Sequence, residues 1–495
     1  MGGYVSTGRF FGGGKASPKK RKRGRDDDSD DDSEEDEMMR TPQRKKLKST
    51  SKYIYDTLFV NGENSDITIF ALGKEWYLHK IYLCQSSYFA SMFSGSWKES
   101  NLNEIVMNIP DNTIDIGALE VALGSLYRDD VMLEPAKVVP ILAAASLLQL
   151  DGLICQCADI MTDTISTKTV CCYHTSASAY GLEAVTNNLL IFFSCVTWLE
   201  QNLMDMQRSS LLRELSLELF EQVIRSPDLF VLQVEMDVYS MVKKFVFLKL
   251  VPSWNGNFKN LSKDADVFFR SYKPGTFLQT ERGQKFESLF QGVRLQHIIN
   301  DLSASKHIEK DHIMHKEWLL PVYQLQWQTM LCLEQGQSQG PTEETVSPEV
   351  FDQQSLRCGR VIARETDYCW RWTGYNYGMD VLFTFANRLL IFRRNTITHP
   401  VVASVSLQNS RNIMFRVRVV SYDGQGHVMY LKKSDLKVLK LNKDEEAVVL
   451  TVDRHAPFPM RISVNMLCAT PPGKEESVEG LPNAPDGPNI REEEL

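Results

Sequence analysis

The sequence predicts a multidomain chain: an α+β unit, then an all-α helical region, then a C-terminal all-β, sandwich-like domain, with disordered segments at both ends. Three observations predict it. At 495 residues the chain is too long for one ordinary core. The hydrophobic period changes along the chain, from mixed, to three-and-four spacing, to strict alternation from about residue 360. Both ends carry charged or Pro/Gly-rich runs that cannot bury themselves. The 43% apolar and 24% charged content is that of a globular protein.

Residues 1–51 read as a solvated arm. The basic block "SPKKRKRGR" (Ser17–Arg25) is followed at once by "DDDSDDDSEEDE" (Asp26–Glu37), then by "RKKLK" (Arg44–Lys48), so the net charge of −8 hides a sharp local asymmetry. Lys19, Lys20, Arg21, Lys22 and Arg23 form a nuclear-import type of cluster, or else a solubilising tail that attracts nucleic acid. Ser29 and Ser33 each have an acid three residues on, and Thr41 precedes Pro42. All three are candidate phosphorylation sites, and each phosphate would add about two negative charges. The opening "MGGYVS" fits the short myristoylation pattern at Gly2, although one acyl chain holds a membrane only marginally. No apolar run reaches the roughly 20 residues of a membrane span. The ten cysteines are scattered, so reduced intracellular thiols are expected.

Residues 52–162 carry the α+β unit. "SDITIFAL" (Ser65–Leu72) and "EIVMNIP" (Glu104–Pro110) read as strands, with two short helices between them, "HKIYLCQS" and "SYFASMFSG", the second closing at Gly95. "DIGALEVALGSLYRDDV" (Asp115–Val131) puts Leu119, Leu123 and Leu126 on one helical face, and Pro135–Met161 reads as two more helices. Residues 163–333 have helical spacing throughout. One example is the stripe of Val234, Val238, Met241, Val242 and Phe245, and antiparallel helix pairs are the expected packing. The stretch from Trp254 to Phe290 gives no clear period. Residues 334–355 read as a polar linker. In 356–470, "IMFRVRVV" (Ile413–Val420) alternates Ile413, Phe415, Val417 and Val419 against Arg416 and Arg418. "SYDGQGH" then supplies a turn to the return strand. Residues 471–495 read as a disordered tail.

The chain has no phosphate-binding glycine loop and no nucleophile elbow. Cys155 and Cys157, like the adjacent Cys171 and Cys172, diverge, and Cys358 and Cys369 have no second pair at zinc spacing. His307, His312 and His315 do not share one helical face. His79 and Cys84 make a poor nucleophile–base pair on a short helix. No catalysis, metal or cofactor is expected. Trp97, beside Lys98 and Glu99 just past a helix end, either closes the domain core or stands exposed as a hot-spot anchor.

Asp66 in "SDITI", then "LHKIYL", "SSYFASMF", "SLYRDD" and "LLQLDGL", in that order, resemble a BTB (POZ) domain over about Tyr55–Met161. "SPDLFVLQVEMDVY" (Ser226–Tyr239) resembles the core of a BACK domain, with Phe245 where that family commonly has Trp. "KLKSTSKYIYDTLFVNGENSDI", "MFSGSWKES", "VPSWNG" and "YCWRWTGYNYG" are similar to the germ cell-less family and together span nearly the whole chain. The arm and the apolar stretch Leu189–Val196, which looks like a short insertion, depart from the family pattern.

The resemblance implies a non-catalytic substrate adaptor of a cullin-3 ubiquitin ligase, dimeric through its BTB domain, nuclear or at the nuclear envelope, with a role in germ-cell development. Trp97-Lys98-Glu99 matches the hydrophobic–x–Glu grip of BTB adaptors on the cullin, and Tyr127 lies where such domains commonly add a contact. The helical region would space this platform from the C-terminal domain, where a protein substrate is expected. Trp370, Trp372 and Tyr375, with Arg416 and Arg418, are the expected anchors, although Trp370 and Trp372 suit a core equally well. Nuclear-envelope or lamina-associated proteins are further expected partners. Direct nucleic-acid binding is not expected, for want of zinc fingers or a basic folded module. The alternative is a nuclear scaffold or transcriptional co-regulator that uses BTB only to dimerise.

Overall fold

The structure, a computed structural model, describes residues 49–95, 102–180, 186–232, 234–335, 346–374, 379–394, 410–423, 428–443 and 445–470. The first unit opens with α1 (Thr50–Ile54), which runs directly into a π-helical turn over Tyr55–Val60. Strands β1 (Ile67–Ala71) and β2 (Lys74–Leu78) then pair antiparallel, and β3 (Glu104–Val106) joins β1 in parallel, giving the order β2-β1-β3. Leu72 and Gly73, at φ +49° and +78°, make the tight β1–β2 turn, whose sense of twist matches that of the strands. Strand β2 was not foreseen. Its outward residues mix the charged Lys74 and Glu75 with the exposed ring of Tyr77, and only Trp76 and Leu78 face the core.

Helices α2 (Lys80–Leu83), α3 (Ser87–Phe93), α4 (Ile116–Gly124), α5 (Val138–Leu147) and α6 (Asp151–Asp163) complete the unit. Side chains cap the starts of two of them, α3 and α4. Asp115 accepts from the Ala118 amide at 2.6 Å, and Ser86 caps α3. The expected Leu119, Leu123 and Leu126 face is buried.

The helical region comprises α7 (Val170–Ala179), α8 (Thr186–Asn202), α9 (Ser209–Glu214), α10 (Leu217–Arg225), α11 (Glu235–Leu250), α12 (Leu261–Arg270), α13 (Glu281–Gln284), α14 (Glu287–Gln291), α15 (Leu302–Lys310) and α16 (Lys316–Glu334). The apolar stretch Leu189–Val196 lies inside α8, which buries Ile191, Cys195 and Leu199 at four-residue spacing. Phe245 is fully buried and stacks on Phe220 with ring centroids 4.0 Å apart. The unclear stretch after Trp254 resolves into α12, which buries Leu261, Ala265 and Phe269 at four-residue spacing, and the short α13 and α14, whose turns are too few for a legible period.

Helix α17 (Pro348–Gln354), capped by Ser347 and with Pro348 in its first turn, forms within the stretch expected to be linker. The final unit is a sandwich of β4 (Leu356–Ile362), β5 (Tyr368–Gly374), β6 (Met379–Ala386), β7 (Leu389–Arg394), β8 (Ser410–Tyr422), β9 (Val428–Lys433), β10 (Lys437–Asn442), β11 (Glu446–Thr451) and β12 (Met460–Ala469). One sheet has the order β10-β8-β12-β4, with β9 also paired to β8; the other is β11-β7-β6-β5. Ile413, Phe415, Val417 and Val419 face the second sheet, and Phe415 meets Phe392 across the gap at 5.3 Å. No helix among the described residues is long and apolar enough to cross a membrane.

Candidate partner-binding surfaces

Trp97, Lys98 and Glu99 lie outside the described residues, but the structure shows what frames their segment. Ser86 is fully buried; its hydroxyl donates to the Leu148 carbonyl at 2.5 Å and accepts from the Phe89 amide at 3.4 Å. Phe89 is wholly buried, with Phe93 stacked 6.0 Å away. The helix then ends through Gly95 at φ +92°, the left-handed position that favours glycine. On the far side of the segment, Leu102 is 48% exposed and Val106 of β3 is 81% exposed. The end of α3 is thus packed into the core, and Leu102 and Val106 leave apolar surface uncovered.

Tyr127 is placed differently from its expected role. It is 3% exposed, stacked on Tyr82 at 4.5 Å and against Phe59 at 5.3 Å, so its ring cannot reach a partner in this fold. Its hydroxyl accepts from the His79 amide at 2.9 Å and lies 3.2 Å from His79 Nδ1, while His79 Nε2 is 2.9 Å from the Glu63 carbonyl. A neutral imidazole protonated on Nε2 satisfies all three contacts, with the phenol donating to Nδ1. Burial raises the Tyr127 phenol well above its usual range, so it stays protonated. Tyr127 therefore positions the α2 entry from inside. A Tyr127→Phe variant is expected to lose about 1–3 kcal/mol, because the buried His79 amide keeps no acceptor; denaturant unfolding of the full chain measures this.

The expected substrate anchors also resolve into other roles. Trp370 is buried in the sandwich core, 5.5 Å from Phe383. The Trp372 side chain and Tyr375 lie outside the described residues. Arg416 pairs with Asp352 of α17 at 2.6 Å, and Arg418 pairs with Asp228 of the helical region at 3.1 Å. Both guanidiniums are therefore engaged within the chain, which corrects their reading as free anchors. Strand register explains why. Arg357, Asn465 and Arg416 align across β4, β12 and β8, and Gly359, Ser463 and Arg418 form the next row. This polar face docks on the helical region. Gly359 approaches so closely that an added Cβ would meet the Ile462 carbonyl and the Phe230 ring at 2.8 Å.

At the centre of the seam Arg357, 1% exposed, holds the fully buried Glu235 of α11 bidentately, at 2.9 Å and 2.9 Å. Its third nitrogen donates to the carbonyls of Ile224 and Ser226. Arg461 pairs with Asp205 at 3.1 Å, and Asn465 donates to the Pro227 carbonyl at 2.9 Å. Neither Glu235 nor Arg357 was singled out in the sequence. An acid opening a helix and an arginine inside a strand each look like ordinary surface residues. The helical region is consequently a docked support for the sandwich rather than a plain spacer.

No group of three metal-ligating side chains occurs among the described residues, and all ten cysteines are free. His79 is engaged by Tyr127 and Glu63 while Cys84 is exposed, so the two form no catalytic pair. Gly2, Lys19, Lys20, Arg21, Lys22, Arg23, Ser29, Ser33 and Thr41 lie outside the described residues.

The BTB/POZ domain profile matches residues 55–165. Germ cell-less protein-like 1 of Mus musculus is 53% identical over 442 residues, covering 88% of this chain and 83% of that protein. Germ cell-less protein-like 2 of Homo sapiens is 51% identical over 436 residues, covering 87% and 81%. Protein germ cell-less of Drosophila melanogaster is 34% identical over 459 residues, covering 88% and 79%.

Proposed function

Because the chain belongs to the germ cell-less family of BTB/POZ proteins, we propose that it is a substrate-recognition adaptor of a cullin-3 ubiquitin ligase. The observation that carries this reading is the BTB match at 55–165, within which Trp97-Lys98-Glu99 follows the buried root of α3. The indole of Trp97 fills an apolar groove of the cullin, and Glu99 sets its orientation. Tyr127 supports the same surface from beneath. A BTB dimer presents two substrates together and gains from multivalency. Ubiquitin transfer takes place on recruited subunits, to which this non-catalytic chain contributes proximity. The nuclear setting rests on Lys19–Arg23, with nuclear-envelope or lamina-associated proteins as neighbours. The germ-cell role, spermatogenesis included, is taken from the relatives' name.

Co-purification of the full chain with cullin-3 tests the reading. Wild type is expected to bind, and Trp97→Ala and Glu99→Lys are each expected to cost about 2 kcal/mol, roughly thirtyfold, with dimerisation intact. Failure of the wild type to bind would leave the scaffold or co-regulator function, with BTB serving dimerisation alone. Unfolding of both variants would place Trp97 in the core.

A further inference from the structure

The helical region and the sandwich do not meet along their whole facing surfaces. Where the seam ends, a cleft of about 760 Å³ opens, in the size range of ligand sites, which favour domain boundaries. Tyr422 of β8, Met429 of β9 and Arg461 of β12 line it from the sheet; Trp198 of α8 and Met206 line it from the helices, and Phe458 completes the lining.

Its chemistry is that of an interface rather than a solvent gap. Met206 is 41% exposed and Met429 is 62% exposed, and unbranched thioethers adapt to whatever apolar side chain meets them. Tryptophan beside them is the residue type that anchors binding hot spots. The Tyr422 hydroxyl, at the sheet side, has no hydrogen-bond partner among the described residues. Two aspartates and two arginines line it, and they are not all paired with one another. Asp205 pairs with Arg461 and Asp423 is engaged, whereas the exposed Arg208 pairs with no carboxylate among the described residues. The cleft is thus largely apolar and balanced in charge overall, with one exposed guanidinium, that of Arg208, left without a carboxylate among the described residues.

We infer that this cleft receives an extended segment of a protein partner, seating an apolar side chain among Trp198, Met206, Met429 and Phe458 with an adjacent carboxylate against Arg208. The inference rests on the adaptor reading, under which that partner is the substrate. It moves substrate capture from the strand arginines, which are engaged internally, to the seam they create.

A phage-displayed random dodecapeptide library panned on the full chain tests it, with affinities of the selected peptides then measured by fluorescence polarisation. The expected peptides share an apolar residue next to Asp or Glu. They should bind about tenfold more weakly to Met206→Glu/Met429→Glu and to Arg208→Glu, and equally well to Val448→Glu on the exposed face of β11. No enrichment, a basic consensus, or equal binding to all variants would overturn the inference. The substituted side chains are solvent-accessible, and a melting curve checks each fold; the methionine pair and Arg208 probe the cleft independently. Cullin-3 co-purification of the same proteins separates the two failures: cullin retained without peptide binding sinks the cleft alone, and no cullin binding by wild type sinks the adaptor reading.

Discussion

An Arg357→Met variant of the full chain will lose about 3–5 kcal/mol of stability, read from its guanidinium unfolding midpoint. The loss comes from what stays behind. Glu235, wholly buried, would keep only the Arg357 main-chain amide at 3.2 Å as a donor. The Ile224 carbonyl would lose its donor as well, and the Ser226 carbonyl would keep only the Leu229 amide at 3.4 Å. A Glu235→Met/Arg357→Met double variant should recover most of the loss, since an apolar pair avoids desolvating two charges. A single variant that loses under about 1 kcal/mol would show that the pair does not hold the sandwich to the helices. The effect also has a pH signature. Burial pushes the Glu235 carboxyl up, but the charge and hydrogen bonds of Arg357 outweigh it and hold it below the ordinary 4.5. A carboxylate depressed on folding stabilises fully above its unfolded value and loses that contribution as pH falls through the lowered native value. The gap between wild type and variant should therefore be widest above pH 4.5 and close in acid.

Lys243→Met is expected to be comparably damaging, at about 3–5 kcal/mol. This ammonium is 1% exposed and lies 2.6 Å from Asp311 Oδ2 and 2.5 Å from Asp266 Oδ1. Tyr239 donates to Asp311 at 3.1 Å, and Arg270 stands 3.5 Å from it. The cluster ties α11, α12 and the end of α15 together. Without Lys243 two carboxylates would face each other, with the more exposed Arg270 between them and His307 3.7 Å from Asp311. A melting midpoint lowered by roughly 10 °C is the expected reading. Asp311→Asn in the Lys243→Met background should restore part of it, because a neutral amide tolerates the missing cation. An unchanged midpoint in Lys243→Met would mean that water reaches the cluster.

Much of the fold was legible because the signals are local. The second short helix closes at Gly95 as expected, in the left-handed conformation, and the Leu119, Leu123 and Leu126 face is buried. The alternation in Ile413–Val420 separates core from polar face correctly. Strand β2 escaped because it is five residues long with an exposed tyrosine between its two core residues, and α13 and α14 because single turns carry no period; α12 does carry one, in Leu261, Ala265 and Phe269. The site was less legible. Tyr127 looks like a surface residue in "SLYRDD", yet its ring is enclosed by Tyr82 and Phe59, and Tyr82 is supplied by a different element.

The order of α+β unit, helices and sandwich, and the elements with a clear period, were determined by the sequence itself, because turns and periods act between near neighbours. Only the tertiary structure decided which polar faces are free. Arg416 and Arg418 stand opposite the apolar stripe of β8, as alternation requires, but alternation does not say what meets that face. A strand arginine reads the same whether water surrounds it or, as for Arg357, a buried carboxylate 122 positions away holds it. That pairing exists only once two domains have docked.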